Sequence, residues 1–301
     1  MRIGIFTTMP LTTNYTGVHG IAFLLFPLIK RWKEEGHEIL FFGKVVENNR
    51  ENIFCNLMCL KPYIIDVSQD MIISEYNYEN LKSCDLLYVY NRPDANPEVI
   101  NEYLEQNVCI SIALSCSIPV LFFCGDLWFL PSFLSEKVIL LRAWKSTIYD
   151  SRFKSAYYFE NFTHNLINYK LETRERIIDY IYIGNFYNRF DEFKAKFASL
   201  EGKIVVAGSW IRDQERWSKS LTLKNILFVG MTPFSMSLPL LNISKKTLYV
   251  VPKNYRELDI KTSRIYEAKM AGCRIDEDTS KLNTLNKADK LFWEIVAKES
   301  K

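Results

Sequence analysis

The chain has 301 residues, enough for two domains at roughly 150 residues each. With 48% hydrophobic, 24% charged and 14% aromatic residues, its composition excludes a disordered or collagen-like chain and supplies a sizeable core. Thirty-eight Lys and Arg against 35 Asp and Glu leave a formal charge of +3. That excludes a histone-like polybasic protein and leaves local basic patches open as nucleic-acid contacts.

The opening MRIGIF enters a β-branched run at once, so no secretory signal is expected. The apolar stretches 21–29 and 109–123 are interrupted by Pro27, Pro119 and serines, and neither predicts a membrane span. The cysteines, Cys55, Cys59, Cys84, Cys109, Cys116, Cys124 and Cys273, form an odd set without a CxxC pair. They are expected as free thiols of a reducing compartment.

Along the chain, short apolar runs recur at 3–6, 39–42, 86–90 and 120–124, then at 180–183, 204–207, 226–229 and 248–251. Continuous rather than alternating apolarity suits strands buried on both faces of a parallel sheet. Helical patterns lie between them. One covers 21–35 and ends at Gly36, with His37 beyond it expected at the surface; another enters through Asn96-Pro97 and runs toward Ser117. This alternation predicts an α/β chain of two facing doubly wound, Rossmann-like domains. Their extents are read as 1–165 and 175–275, with a tail at 276–301 whose Leu291, Phe292, Ile295 and Val296 stand at helical spacing. Functional residues are then expected just beyond the strand runs, at the carboxyl edges that line a cleft.

Several residues occupy such places. The loop after the first run carries Gly17-Val18-His19-Gly20, where glycines would let the backbone approach a phosphate or sugar. It lacks the GxGxxG spacing of a dinucleotide site, and His19 reads equally as a general base or a structural loop residue. Asp126 follows the run 120–124, where a partly desolvated carboxylate could serve as a general base; a turn or N-cap role is the alternative. Gly184 followed by Arg189 forms a possible diphosphate cradle. The junction holding Met231, Thr232 and Phe234 could read a flat base through its backbone, and Lys253 stands just beyond the run 248–251. Arg264 and Glu267, three apart, share a helix face. They read either as a surface ion pair or as a cation for a diphosphate beside a carboxylate for a ribose diol. Lys137, Arg142, Lys145, Arg152 and Lys154 fall close together, with Trp128, Phe129, Trp144 and Tyr149 nearby. They form either a DNA-binding segment or a solvated basic face. The three histidines, 19, 37 and 164, are too far apart to predict a metal site.

An ordered series of motifs resembles the GT-B class of nucleotide-sugar glycosyltransferases, and within it the DNA β-glucosyltransferases of T-even bacteriophages. The series comprises MRIGIF, Phe-x-x-Asp-x-x-x-x-Pro around Asp126, Gly-x-Phe from Gly184 and Phe-x-Gly-x-x-Pro from Phe228. It continues with Lys253-Asn254-Tyr255, Thr-x-Arg-x-x-Glu from Thr262, Ile275-Asp276-Glu277, and Leu285-Asn286-Lys287 followed by Trp293. The resemblance implies that Asp126 is the base, that Arg189 and Arg264 hold a donor diphosphate, and that Glu267 holds the ribose. It also implies that the backbone at 231–234 frames uracil and that the C-terminal helix crosses back to the first domain. The co-substrate would be a UDP-sugar, with no tightly bound cofactor and Mg2+ or Mn2+ assisting. The acceptor would be a modified cytosine flipped out of duplex DNA, in the cytoplasm of an infected bacterium, by a monomer without membrane contact.

The chain departs from that family in three places. Tyr187 stands where the family has a second arginine, Gly17-Val18-His19-Gly20 is closer to the retaining phage α-glucosyltransferases, and the stretch 275–285 is shorter. Glucose or a pentose such as arabinose, and 5-hydroxymethylcytosine or 5-hydroxycytosine, all fit these changes. Two rivals stay open: a transferase for an envelope polysaccharide or small acceptor, and a non-catalytic nucleotide-sugar or DNA-binding module.

Overall fold

A computed structural model of the chain describes residues 1–8, 11–12, 21–46, 52–63, 65–90, 100–125, 135–163, 175–185, 189–210, 225–276 and 282–300. Two parallel sheets dominate it. The first is built from β1 (Arg2–Thr7), β2 (Glu38–Phe42), β3 (Ile72–Ile73), β4 (Leu86–Tyr90), β5 (Val120–Cys124), β6 (Ile139–Arg142) and β7 (Ser155–Tyr158). Its spatial order is β3-β2-β1-β4-β5-β6-β7. Every residue of β4 and β5 is buried, as a strand covered by helices on both faces requires. The second sheet contains β8 (Ile178–Ile183), β9 (Ile204–Ala207), β10 (Ile226–Gly230), β11 (Ser244–Thr247) and β12 (Arg274–Ile275), in the order β10-β9-β8-β11-β12. Numbered from its own first strand, each sheet begins 3-2-1-4-5, the doubly wound order. The strand order therefore reverses between β1 and β4 in the first sheet and between β8 and β11 in the second, which is where such sheets open a crevice at their carboxyl edge.

The helices are α1 (Ile21–Glu34), α2 (Ile53–Leu57), α3 (Tyr78–Lys82), α4 (Ile100–Ser115), α5 (Phe190–Ala198), α6 (Ser237–Asn242), α7 (Lys253–Glu257), α8 (Ser263–Met270) and α9 (Leu285–Glu299). α9 places Ala288, Phe292, Ile295 and Val296 on one buried face and crosses to the first sheet's layer. Its Phe292 ring lies 4.6 Å from that of Trp32 in α1, and the Trp32 indole donates to Asp289 at 3.0 Å. At its far end Glu299 accepts from the Tyr157 hydroxyl in β7 at 2.7 Å. His37 is half-buried rather than at the surface, its ring 4.6 Å from Trp293 of this helix. One apolar core runs from α1 and β1 through α9 to β8, α6 and α8.

The run 248–251, expected as a strand, is buried chain just beyond one. The fourth inner strand is β11, with the sequence Ser-Lys-Lys-Thr. Its two polar ends are buried because their hydroxyls are satisfied: Ser244 donates to the Leu240 carbonyl at 2.7 Å and Thr247 to the Ile181 carbonyl at 3.2 Å. All seven cysteines are free thiols.

Candidate functional site

The carboxyl edge of the second sheet is built from glycine turns. Gly184 ends β8 at φ +153°, Gly208 follows β9 at φ +148°, and Gly230 ends β10 at φ +73°. Backbone hydrogen bonds join them: Gly184 N–H to the Ala207 carbonyl and Gly208 N–H to the Gly230 carbonyl, both 2.8 Å. A Cβ on Gly208 would fall 1.9 Å from the Gly184 carbonyl oxygen, so the two turns approach closely only because position 208 has no side chain. The Trp210 indole donates to that same carbonyl at 2.7 Å and closes the turn from below.

Arg189 lies at the foot of this edge, beside the strand-order reversal. Its guanidinium donates to the carbonyls of Val250 and Asn185, the latter at 3.2 Å, and to the Tyr182 hydroxyl at 3.2 Å. Its charge lies over the Phe193 ring, 5.2 Å from the centroid. Arg189 thus ties β8 to the chain beyond β11. These contacts occupy Nη1 and Nη2, while the buried Nε makes no hydrogen bond among the described residues.

Arg264 and Glu267 are differently placed. Thr262 provides no side-chain cap for α8, and the first turn holds no acid, so the positive end of the helix dipole favours an anion beside the Arg264 guanidinium. Arg264 pairs with Glu267 Oε2, whose residue is 0% exposed; this excludes the surface ion-pair reading. The other oxygen, Oε1, is buried and has no hydrogen-bond partner among the described residues. A buried carboxylate oxygen left without a donor is costly in a finished core and suits one that awaits a ligand's hydroxyl. The Glu267 charge reaches Tyr63 from the other half, where it adds to burial in raising the Tyr63 phenol.

The junction beyond β10 lies within the described residues. Met231 is 50% exposed beyond β10, with Thr232 half-buried next to it, and the backbone of Phe234 begins a short 3-10 turn. Lys253 is not brought in: it is 88% exposed at the start of α7, 3.6 Å from Glu257. Asp126, His19 and Gly17, together with Trp128 and Phe129, lie outside the described residues.

The basic segment is divided. Arg142 is corrected from a DNA contact to an internal brace, buried in β6, with a bidentate pair to Asp150 at 2.7 and 2.9 Å and a bond to the Trp144 carbonyl at 2.6 Å. Trp144 is 0% exposed and so cannot fill a gap in a base stack. Lys145 pairs with Asp259 at 2.5 Å and Lys154 with Glu299 at 3.1 Å. Lys137 is exposed, and Arg152, also exposed, lies over the Tyr149 ring. Among the described residues no group of three or more His, Cys, Asp or Glu side chains converges on a metal-sized site. The Mg2+ or Mn2+ that the resemblance implies therefore finds no protein cage among them. No helix among the described residues is long and apolar enough to cross a membrane.

Two features that sequence reasoning missed join the halves here. Asn52, from the first half, donates to the carbonyls of Val229 at 2.8 Å and Met231 at 3.0 Å. Tyr63 N–H donates to the Ser235 carbonyl at 2.6 Å. No local pattern announces either contact, since the partners are more than 170 residues apart.

No protein-family model and no curated protein matches this sequence. Solved structures do. T4 phage β-glucosyltransferase with its UDP-glucose substrate superposes at a TM-score of 0.56 with 14% identity, over 99% of this chain and 90% of that one. The same phage enzyme with UDP and Mn2+ gives 0.55 and 15%, over 99% and 90%. Sucrose-phosphate synthase from Thermosynechococcus elongatus gives 0.51 and 11%, over 98% and 90%.

The fold is GT-B. At these identities the likeness establishes the architecture. In this GT-B chain α8, in the second half, carries the Arg264–Glu267 pair, and the first sheet carries the strand end that precedes Asp126.

Proposed function

We propose that the protein is a glycosyltransferase that moves a sugar from a UDP-sugar to the hydroxyl of a modified cytosine in duplex DNA. The observation that carries the donor half of this reading is the pairing of Arg264 with the fully buried Glu267 on α8, one Glu267 oxygen having no partner among the described residues. The T4 phage enzyme, described as a DNA-modifying β-glucosyltransferase, shares the fold over nearly the whole chain and supports the acceptor half.

In this reading Arg264 and the α8 N–H groups bind the diphosphate, Glu267 Oε1 accepts from a ribose hydroxyl, and the exposed backbone around Met231 frames the base. Arg189 holds the Gly184 turn in place under the donor. The acceptor hydroxyl oxygen attacks the anomeric carbon while the bond from that carbon to the diphosphate oxygen breaks. Asp126, two residues past β5, takes the hydroxyl proton, and the departing UDP carries the negative charge toward Arg264. The division is a first half spanning 1–165 that receives the acceptor and a second spanning 175–275 that holds the donor.

A second reading, transfer to a glycan or small acceptor, is favoured by one specific observation. Arg142 is internal, and Lys145 and Lys154 are already paired with acids, so less of the basic segment is free for phosphates than a DNA surface requires. One experiment separates the two. The protein is incubated with UDP-glucose or UDP-arabinose and duplex DNA containing cytosine, 5-hydroxymethylcytosine or 5-hydroxycytosine, and the nucleosides are weighed by mass spectrometry. A hexose or pentose added to a hydroxylated base is expected. No gain on any DNA, with gain on a glycan, overturns the DNA assignment.

A further inference from the structure

The geometry points to Asn52, a residue of the first half, as the positioning residue for nucleobase selection in the second half. This inference rests on the UDP-sugar reading and adds to it a residue that does not touch the donor.

Asn52 is 6% exposed, and its amide is fully engaged. The oxygen caps α2 by accepting from Cys55 N–H at 3.1 Å, and the NH2 group donates to the Val229 and Met231 carbonyls. An amide NH2 has two hydrogens, and both are placed on the same short turn, one on each side of Gly230. Six residues past α2, Tyr63 N–H holds the Ser235 carbonyl at the other end of that turn. The segment 229–235 is therefore gripped at both ends by one stretch of the first half, residues 52–63. Between the grips, Gly230 takes a left-handed conformation at φ +73°, and a Cβ there would meet no atom of the described residues within 4 Å. Among those residues the turn is held on one face and open at Gly230.

A turn that recognises a flat base through its backbone discriminates only as well as its carbonyls and N–H groups are fixed in space, since a loose turn adapts to any ring. Asn52 supplies that fixity from outside the second sheet. It also makes base selection depend on how the two halves are docked.

The test uses Asn52→Ser in the full chain. Serine caps a helix as well as asparagine does, so α2 keeps its start, but its hydroxyl is too short to hold both carbonyls. Binding of UDP and of inorganic diphosphate is measured by calorimetry for wild type and variant. UDP affinity is expected to fall on the order of tenfold, the effect of losing two buried hydrogen bonds, with inorganic diphosphate binding unchanged. Asn52→Asp retains the capping oxygen and the size but turns a carboxylate on two carbonyl oxygens, and should weaken UDP further. Equal UDP binding in wild type and both variants overturns the inference, and so does a matched loss for UDP and diphosphate. A wild type that binds diphosphate but not UDP overturns the UDP-sugar reading itself.

Discussion

The two sheets begin with the same strand order and finish their carboxyl edges in different ways. Along the first, the ends of β1, β2 and β3 open onto a cavity of about 570 Å³, where Phe6 and Tyr76 pack edge to face beneath Thr8, Ser74 and the Lys44–Glu105 pair. Along the second, the ends of β8, β9 and β10 are drawn together by glycine turns, and Arg189 closes the floor. An open edge can accept ligands of varied shape. A stitched edge presents fixed charges and backbone groups to one kind of ligand, as a shared nucleotide-diphosphate donor demands. Under the proposed function, the first sheet's edge would take the acceptor and the second sheet's edge the donor.

The sharpest way to break this division is Asp126→Asn. If the first edge supplies the base and the second the donor site, transfer should fall by at least about 100-fold while UDP-sugar affinity holds. Steady-state rates and donor calorimetry on the same preparation decide it. A parallel loss of donor binding would merge the two edges into one site. Arg264→Ala should act in the opposite sense, abolishing donor binding. It should also destabilise the fold by about 3 kcal/mol, because Glu267 is then left as a buried charge without its partner. Urea unfolding measures the second effect, and Arg264→Ala with full stability would show that Glu267 is not held by the pair.

The same substitution placed in each sheet sharpens the structural side. Gly208→Ala pushes a methyl into the Gly184 backbone carbonyl, which cannot move without opening the stitched edge, and should cost about 3 kcal/mol. Gly4→Ala in β1 meets Cys84 Sγ and the Phe42 ring at 3.0 Å, side chains able to shift, and should cost about 1–2 kcal/mol. Denaturant unfolding of the two variants ranks them. A larger loss at Gly4 would show that the apolar sheet, rather than the glycine turns, is the less forgiving of the two.

Seven of the strands are visible in the sequence because each is a continuous apolar run; burial on both faces imposes that pattern on the inner ones, whereas the edge strand β10 is only partly buried, with Leu227 exposed. β11 escapes that rule, since Ser244 and Thr247 enter the interior on hydroxyl hydrogen bonds that composition does not reveal. Arg264 and Glu267 could be paired from their spacing alone, yet the full burial of Glu267 could not, because it arises only when the fold gathers distant segments, and its charge then reaches Tyr63 of the other half. Arg142 shows the reverse error. A cation in a basic stretch reads as surface, and only the fold brings Asp150 and two backbone carbonyls around it. What the sequence hides at this site is mostly contact between segments far apart in the chain, Asn52 above all.

The smallest expected effect concerns α9, which joins the second half's end to the first sheet. Burial, with the nearby Glu35 charge, raises the Asp289 carboxyl above the ordinary carboxylate range despite the hydrogen bond from Trp32. At the other end burial also acts to raise Glu299, but hydrogen bonds from Tyr157 and Lys154 outweigh it and hold that carboxyl below its usual range. The signs are opposite. As pH rises past the unfolded carboxyl value and through the raised folded one, the unfolded chain releases its proton first, so the Asp289 contribution to stability is lost. The Glu299 contribution is present above the unfolded value and disappears as pH falls through the depressed folded one. Asp289→Asn keeps an acceptor for Trp32 and removes the titration, so its stability relative to wild type should improve from pH 4 toward pH 7. Glu299→Gln should show the opposite trend, losing relative stability over the same rise. Urea midpoints across that range read both, and parallel curves for the two variants would mean that α9 is anchored to the first sheet by its apolar face alone.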